Sequence, residues 1–377
     1  MKLLIVIGTV NFHGGAHVAT WAMIDALKAR GVEAEILTGC EPNEEMKERL
    51  KDVPIHMMED PFPRKGLRFF VQGICRRLRI GWVPNWTIDP SGTWRKKAAQ
   101  YDTVLVIGEN SHYRSLIGSV KGPKKVVFIH TDYVSWRTAS SYNRVDARCD
   151  KWTYRKFDKI AVVGKPNAER FAAAFPEFKE KVCAFHNIFE FTRGEISPRK
   201  RNEVFSTVSI SRLNWGPQKK TELAIEVAAK LKAKGLRFKW TIFGDGPEED
   251  VRKLRAYAKE LQVEDCFFMP GYTNNQKAEI CAADVTTLLS AYEGMSNAIY
   301  ESLLFGTPVI ATDVGGASEQ IEDGRTGYVV PLDVDKIAEK FAMIITHPAI
   351  VESWRGNLAA YQYDNAKVVD EYMEILG

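Results

Sequence analysis

The sequence predicts an α/β fold made of two units in tandem, each a mostly parallel sheet with helices between its strands. Three observations lead there. The chain has 377 residues, and at roughly 100 to 200 residues per domain that length suits about two hydrophobic cores. Short, mostly branched apolar runs alternate with helical periodicity almost throughout, as in βαβ layers whose sheet is buried on both faces. The alternation breaks near the middle, at Thr192 to Asn202, which has no apolar period and is read as the linker.

In the first half the strand candidates are Leu3 to Ile7, Glu35 to Leu37, Thr103 to Ile107, Val126 to Ile129 and Ile160 to Val163. A helix from Gly15 to Arg30 follows the first of them, with Val18, Ala22, Ala26 and Ala29 in phase and a stop at Gly31. After the linker the strands are Val204 to Ile210, Lys239 to Phe243, Cys266 to Met269, Val285 to Leu289, Val309 to Ala311 and Tyr328 to Val330. The helices are Thr221 to Lys234, Glu248 to Leu261 and Asn297 to Phe305. Two Rossmann-like domains are the architecture these periods support, residues 1–190 and 203–355, with no short repeat.

Composition narrows the class. No stretch reaches the roughly 18 uncharged apolar residues of a membrane span, so spanning and signal-peptide readings are set aside. Six cysteines, at 40, 75, 149, 183, 266 and 281, include no pair at metal-ligand or C-x-x-C spacing, which suits a reducing cytoplasm. The net charge of +4 divides unevenly: residues 1–190 carry a net +9 and residues 191–377 a net −5. Between Pro61 and Ile88 stand Arg64, Lys65, Arg68, Arg76, Arg77 and Arg79 with no acid. Phe62, Phe69, Phe70, Trp82, Trp86 and Trp94 lie in and beside this run. A helix over Leu67 to Ile80 would put Phe70, Ile74 and Arg77 on one face. A dock for membrane surface or lipid phosphate, a site for an anionic soluble glycan, and plain packing with solvated charges all fit; Arg68, Arg76, Arg77, Arg79 and Trp82 are its candidate contacts.

Ligands of parallel sheets bind beyond the carboxyl ends of strands, so the loops there carry the search. The first, Gly8 to Ala16, holds Gly14 and Gly15 at a helix start, where amides can meet a phosphate; a tight turn is the simpler reading. The dinucleotide fingerprint is missing, because the second strand ends Leu37-Thr38-Gly39 without an acid. The stronger signal runs from Ser290 to Thr312. Glu293 ends a strand loop, and Glu301 stands eight residues on, inside a helix that starts near Ser296 or Asn297. A carboxylate there can accept both hydroxyls of a vicinal diol such as ribose, while free amides at Met295 to Asn297 face a phosphate or sugar oxygen. A helix cap at Glu293 and a solvated Glu301 form the alternative. Asp333-Val334-Asp335, the one acid pair of metal-binding type, is read as a helix cap.

With those residues in view the chain resembles the family-4 glycosyltransferases, retaining enzymes of GT-B fold. The resemblance rests on Glu293 and Glu301, on Gly306-Thr307-Pro308-Val309-Ile310-Ala311-Thr312-Asp313-Val314-Gly315-Gly316, and on Gly324-Arg325-Thr326-Gly327-Tyr328 in order. Ser211-Arg212-Leu213 with Lys219, and Phe243-Gly244-Asp245-Gly246-Pro247, match its donor-phosphate and nucleotide segments. It is close over about 204–331 and thinner before: Gly14-Gly15-Ala16, His130 and Asn187. It implies two Rossmann-like domains facing a cleft, with a terminal helix, about 356–377, returning to the first. That first domain would bind the acceptor and the second a nucleoside diphosphate sugar, UDP favoured over GDP. Implied as catalytic are His130, Glu293, Arg212 and Lys219; implied as donor-binding are Gly14, Gly15, Gly244, Gly271, Tyr272, Gly294, Met295, Ser296, Asn297 and Glu301.

The sequence departs from the pattern in three places, one of them near the linker, where His186-Asn187-Ile188 stands for the usual proline-asparagine-glycine. Six residues separate Arg212 from Lys219 where four are usual, which leaves Lys220 as a rival. Met295-Ser296-Asn297-Ala298 replaces the usual aromatic-glycine-leucine-proline run. The implied activity is transfer of a sugar to a glycan or lipid-linked acceptor of a cell surface, without metal, cofactor or nucleic acid. It would act in the cytoplasm, with attachment to the inner membrane face left open. A nucleotide-sugar epimerase and a non-catalytic nucleotide-sugar binder are the rivals. Of the other histidines only His13, beside the glycine pair, is a candidate.

Overall fold

A computed structural model describes residues 1–11, 15–58, 64–80, 83–108, 111–189, 203–216 and 218–377, with the side chains of Arg76, Ser111 and Tyr142 excepted. The expected linker Thr192 to Asn202, together with His13, Gly14, Phe62 and Trp82, lies outside the described residues.

The chain divides into two compact units, Met1–Phe189 with Asp364–Gly377, and Glu190–Tyr363. In the first, strands β1 (Lys2–Ile7), β2 (Glu33–Thr38), β3 (Ile55–Met57), β4 (Thr103–Ile107), β5 (Lys124–Ile129), β6 (Lys159–Val163) and β7 (Val182–Phe185) form one sheet in the order β3-β2-β1-β4-β5-β6-β7. Every pairing is parallel, with Ile5 opposite both Ile36 and Leu105. The second unit holds β8 (Phe205–Ile210), β9 (Phe238–Phe243), β10 (Phe267–Gly271), β11 (Val285–Leu288), β12 (Val309–Thr312) and β13 (Gly327–Val330), ordered β10-β9-β8-β11-β12-β13 and also parallel. Each sheet reverses its strand order once, between β1 and β4 and between β8 and β11. Helices on either side of such a point go to opposite faces, which opens a crevice at the carboxyl edge.

The central strands β1, β4, β5, β6 and β12 are mainly apolar runs because both their faces are covered, and this is why they were readable. Two edge strands carried no comparable signal. Ile55–Met57 is three residues long and half-exposed, and Val182–Phe185 keeps only Phe185 fully covered.

The end of the chain corrects an expectation. A single returning segment was expected over about 356–377, but the residues divide. Helix Ala349–Leu358 belongs to the second unit, where Trp354 is buried in that unit's core and its indole N–H donates to Gly324 O at 2.8 Å. Only helix Asn365–Leu376 lies on the first unit. The break falls at Ala359 to Asp364, where the Asp364 side chain caps the second helix by accepting from Lys367 N. Asn365 then pairs with both backbone groups of Phe189, accepting its N–H at 3.1 Å and donating to its carbonyl at 2.7 Å. Tyr372, 1% exposed, has its ring 5.6 Å from that of Phe128 and donates to His186 O.

Tyr372→Ala is therefore expected to lower stability by about 3 kcal/mol or more, the scale of an emptied aromatic site. Deleting Asn365 onward is expected to leave the first unit poorly soluble. Urea denaturation and expression trials check both; wild-type melting of the truncated chain would make the tail a passive extension.

Candidate functional site

In the second unit the site grows from the reversal between β8 and β11. Strand β8 runs on into Ser211-Arg212-Leu213, and the loop after β9 lies along it: Ser211 N donates to Phe243 O and Leu213 N to Asp245 O, both at 2.9 Å. That closeness dictates glycine. A Cβ on Gly244, whose φ is +151°, would stand 1.9 Å from Ser211 O, and one on Gly246 would stand 1.5 Å from Leu213 O. Gly244 N also donates to Gly271 O at 2.9 Å, and Gly271 itself takes a φ of +101°. Arg212 is exposed, and its guanidinium donates to Gln218 Oε1 at 3.0 Å. Tyr272, just past β10, is 61% exposed.

Residues Gln218 to Lys220 run antiparallel to the end of β11. Lys220 N donates to Leu289 O at 3.0 Å, Ala291 N donates to Gln218 O at 2.8 Å, and Thr312 Oγ1 holds both backbone groups of Ser290. This stitching delivers Lys219 to Glu293: Nζ and Oε1 are 2.5 Å apart with both side chains mostly buried. Lys220 turns instead to Glu222, at 3.2 Å. Of the two lysines, Lys219 is thus the partner of Glu293. The helix-cap alternative for Glu293 falls with it, since Ser296 holds the cap position of helix Asn297–Leu304 and no side-chain cap bond is made there.

One expectation about the loop Glu293 to Asn297 is corrected. The Ser296 amide is not free, because Gln320 accepts it at 3.1 Å and donates back to Ser296 O at 2.8 Å. The Met295 side chain is 6% exposed and turned to Gly316, where a Cβ would meet its Cγ at 2.9 Å. Gly315, at φ +57°, sits against the carbonyls of Glu293 and Gly294, and Gly316 N donates to Gly294 O at 3.0 Å. The two loops are therefore interlocked, and Gln320, 24 residues from its partner, gave no signal in the sequence.

Some buried polar atoms near these loops remain unsatisfied. Asn297 Oδ1, Asn214 Oδ1 and Ser290 Oγ are shielded from water with no hydrogen-bond partner among the described residues. Glu301, one turn beyond Asn297, has no cation or donor on its carboxylate among the described residues. Burial alone pushes its pKa up to about 7. Asp333, by contrast, is a cap, accepting from Lys336 N at 2.9 Å.

In the first unit, helix Gly15–Ala29 starts at Gly15 as the spacing predicts. His130 follows β5 directly. Its ring stands edge-on to Phe185 at 5.0 Å, and neither ring nitrogen makes a hydrogen bond of ordinary geometry. Burial, with His17 nearby, lowers its pKa to about 4 against a weak opposing pull from Asn187, so the imidazole is neutral at pH 7. The next residues fix its position: Asp132, 1% exposed, caps helix Tyr133–Ala139 and pairs with Arg170. Of the basic run, Arg77 and Arg79 are exposed, but Arg68 is a correction: its Nε donates inward to Thr87 O at 2.8 Å.

Two family models match the chain in succession, Glycosyltransferase Family 4 over residues 13–193 and Glycosyl transferases group 1 over residues 205–347. The chain belongs to the group 1, family 4 glycosyltransferases. It is 35% identical over 144 residues to WcaL of Salmonella typhimurium, a protein named for colanic acid biosynthesis, covering 36% of this chain and 34% of that one. It is 27% identical over 240 residues to the N-acetylgalactosamine-N,N'-diacetylbacillosaminyl-diphospho-undecaprenol 4-alpha-N-acetylgalactosaminyltransferase of Campylobacter jejuni, covering 62% and 63%. The matches thus span less than two thirds of these relatives' length. Among solved structures, HepE of Anabaena in complex with UDP superposes with a TM-score of 0.74 at 18% identity, and the lipopolysaccharide outer core galactosyltransferase WaaB with 0.72 at 17%, each over 100% of this chain and 99% of the other. At those identities the likeness establishes the GT-B fold.

Glu301 gives a pH test. Its folded pKa lies above the unfolded value of 4.5, so the folded state holds an extra proton between pH 4.5 and about 7, and stability falls as pH rises through that window. By pH 8 the loss is on the order of 3 kcal/mol. Glu301→Gln is expected to match wild type near pH 4.5 and to be more stable by that amount at pH 8, read from urea midpoints. A variant weaker at both pH values would mean that the carboxylate has a stabilising partner.

Proposed function

We propose that this family member is a retaining glycosyltransferase. It would move a hexosyl group from a nucleoside diphosphate sugar, UDP in preference to GDP, to a glycan or lipid-linked acceptor in the synthesis of a cell-surface polysaccharide or glycolipid. The observation that carries the reading is the Lys219–Glu293 pair at the β8/β11 reversal, beside an unpartnered Glu301 and Asn297 on one helix face. The relatives' names and the UDP in HepE support the substrate class.

In this reading Glu301 accepts the two ribose hydroxyls and Glu293 a sugar hydroxyl. Arg212 and Lys219 meet the charge that develops on the diphosphate as the bond from the anomeric carbon to the phosphate oxygen breaks. A bond from the acceptor oxygen forms at the same carbon, and the acceptor's proton leaves with the diphosphate. His130, implied by the resemblance, is neutral and would offer a hydrogen bond rather than a charge. No covalent nucleophile and no metal are required by these groups.

Release of free nucleotide from a panel of UDP- and GDP-sugars tests the donor. Arg212→Ala or Lys219→Ala is expected to lower turnover by roughly 10² or more. Glu301→Ala is expected to weaken UDP binding by about 1.5 to 3 kcal/mol in calorimetry. Activity that EDTA abolishes and Mn²⁺ restores would replace Arg212 and Lys219 with a metal in this role; product formed from the donor alone would favour an epimerase.

A further inference from the structure

The helix Gly66–Arg77 is apolar on both of its sides. On its inner side Cys75 joins the first unit's core and Val71 packs against it, while Gln72 is buried, and Arg68 Nε and Gln72 Nε2 both donate to Thr87 O, at 2.8 and 3.2 Å. Its outer side is apolar. Leu67, Phe70 and Ile74 share one arc at 100° per residue, with Leu67 69% and Phe70 63% exposed. Leu78 and Ile80 continue the exposure past the helix end, and Trp86 adds to it from the short helix Asn85–Ile88. Of thirteen exposed large apolar residues among those described, seven lie between Leu67 and Trp86. Scattered apolar residues need no explanation, but a concentration of this kind does.

The helix end is held rather than frayed. Arg79 takes the left-handed position at φ +55°, Ile80 N reaches back to Cys75 O at 2.8 Å, and Arg148 donates to Arg79 O at 2.7 Å. Along the chain from residue 64 to 88 every charge has one sign. Arg64, Lys65, Arg77 and Arg79 are exposed at the two ends of the apolar arc, and no acid occurs from residue 64 to 88. That pattern decides the occupant. A second copy would have to bring this patch against itself, setting like charges face to face. An anionic lipid surface meets both features, apolar side chains entering the acyl boundary while arginine and lysine reach phosphates.

We propose that the helix Gly66–Arg77 lies in the interface of an anionic bilayer, with Leu67, Phe70, Ile74 and Leu78 inserted and Arg64, Lys65, Arg77 and Arg79 at the headgroups. This deepens the proposed function and rests on it for its purpose alone, which is to meet an acceptor carried on lipid. Binding itself requires no turnover.

The test is sedimentation of the full chain with vesicles of phosphatidylcholine and with an equal mixture of phosphatidylcholine and phosphatidylglycerol. Wild type is expected to bind the anionic vesicles and to come off as salt rises, since exposed charges are screened over about 10 Å at 0.1 M. Leu67→Ser/Phe70→Ser/Ile74→Ser is expected to lose partitioning at least about tenfold while melting no lower than wild type, because those side chains are not in the core. Arg64→Glu/Lys65→Glu/Arg77→Glu is expected to abolish the preference for phosphatidylglycerol. Equal sedimentation of wild type and both variants, or none by any of them, overturns the proposal. So does a dimer in light scattering, without vesicles, that the serine variant dissolves. Nucleotide release assayed with a soluble acceptor is read separately, so a silent enzyme that still sediments refutes only the catalytic reading, and an active enzyme that ignores lipid refutes only this one.

Discussion

Everything at the candidate site follows from the strands of each sheet being parallel. Parallel pairing sends all carboxyl ends to one edge, and the single reversal of order between β8 and β11 leaves a gap there that no crossover helix fills. The segments that leave those strands must share that gap. Hence Gly244, Gly246 and Gly315 stand where a Cβ would overlap a carbonyl, and hence Lys219 meets Glu293 across 74 residues of chain. The glycines are spatial requirements of the edge, and the charged pair is what the edge brings together.

The electrostatics of the second unit are partly balanced and partly not. Lys219 and Glu293 neutralise each other inside a poorly hydrated pocket, where an isolated charge would cost several kcal/mol. Glu301 has no such companion and keeps its proton up to about pH 7, while Asn297 leaves its amide oxygen idle beside it. A fold selected for stability alone would pair or remove these groups. Groups held unsatisfied at a strand edge are available to a ligand, and their cost lies in the stability of the unliganded protein.

The first unit shows the same trade in two forms. His130 keeps both nitrogens out of water without a strong partner, which fixes it as neutral imidazole, while Asp132 and Arg170 immobilise the turn that carries it. The helix Gly66–Arg77 spends Arg68 and Gln72 on Thr87 and leaves Leu67, Phe70 and Ile74 exposed.

The central strands, the helix starts at Gly15 and Asn297, the Asp333 cap and the spacing of Glu293 and Glu301 were legible in the sequence. Each is set by a local rule: apolar period, turn chemistry, or a side chain reaching its own helix. The edge strands at Ile55 and Val182 were not legible, because a half-exposed strand of three or four residues has no distinctive period. Nor was the division of the chain's end at Ala359 to Asp364, since Trp354 and Tyr372 look alike as helical apolar residues until each finds its own core. The choice of Lys219 over Lys220, the capture of the Ser296 amide by Gln320 and the inward turn of Arg68 were decided only by the tertiary structure. All three depend on which backbone group or carboxylate arrives within 3 Å from a distant part of the chain, and nothing in the neighbouring residues encodes that meeting.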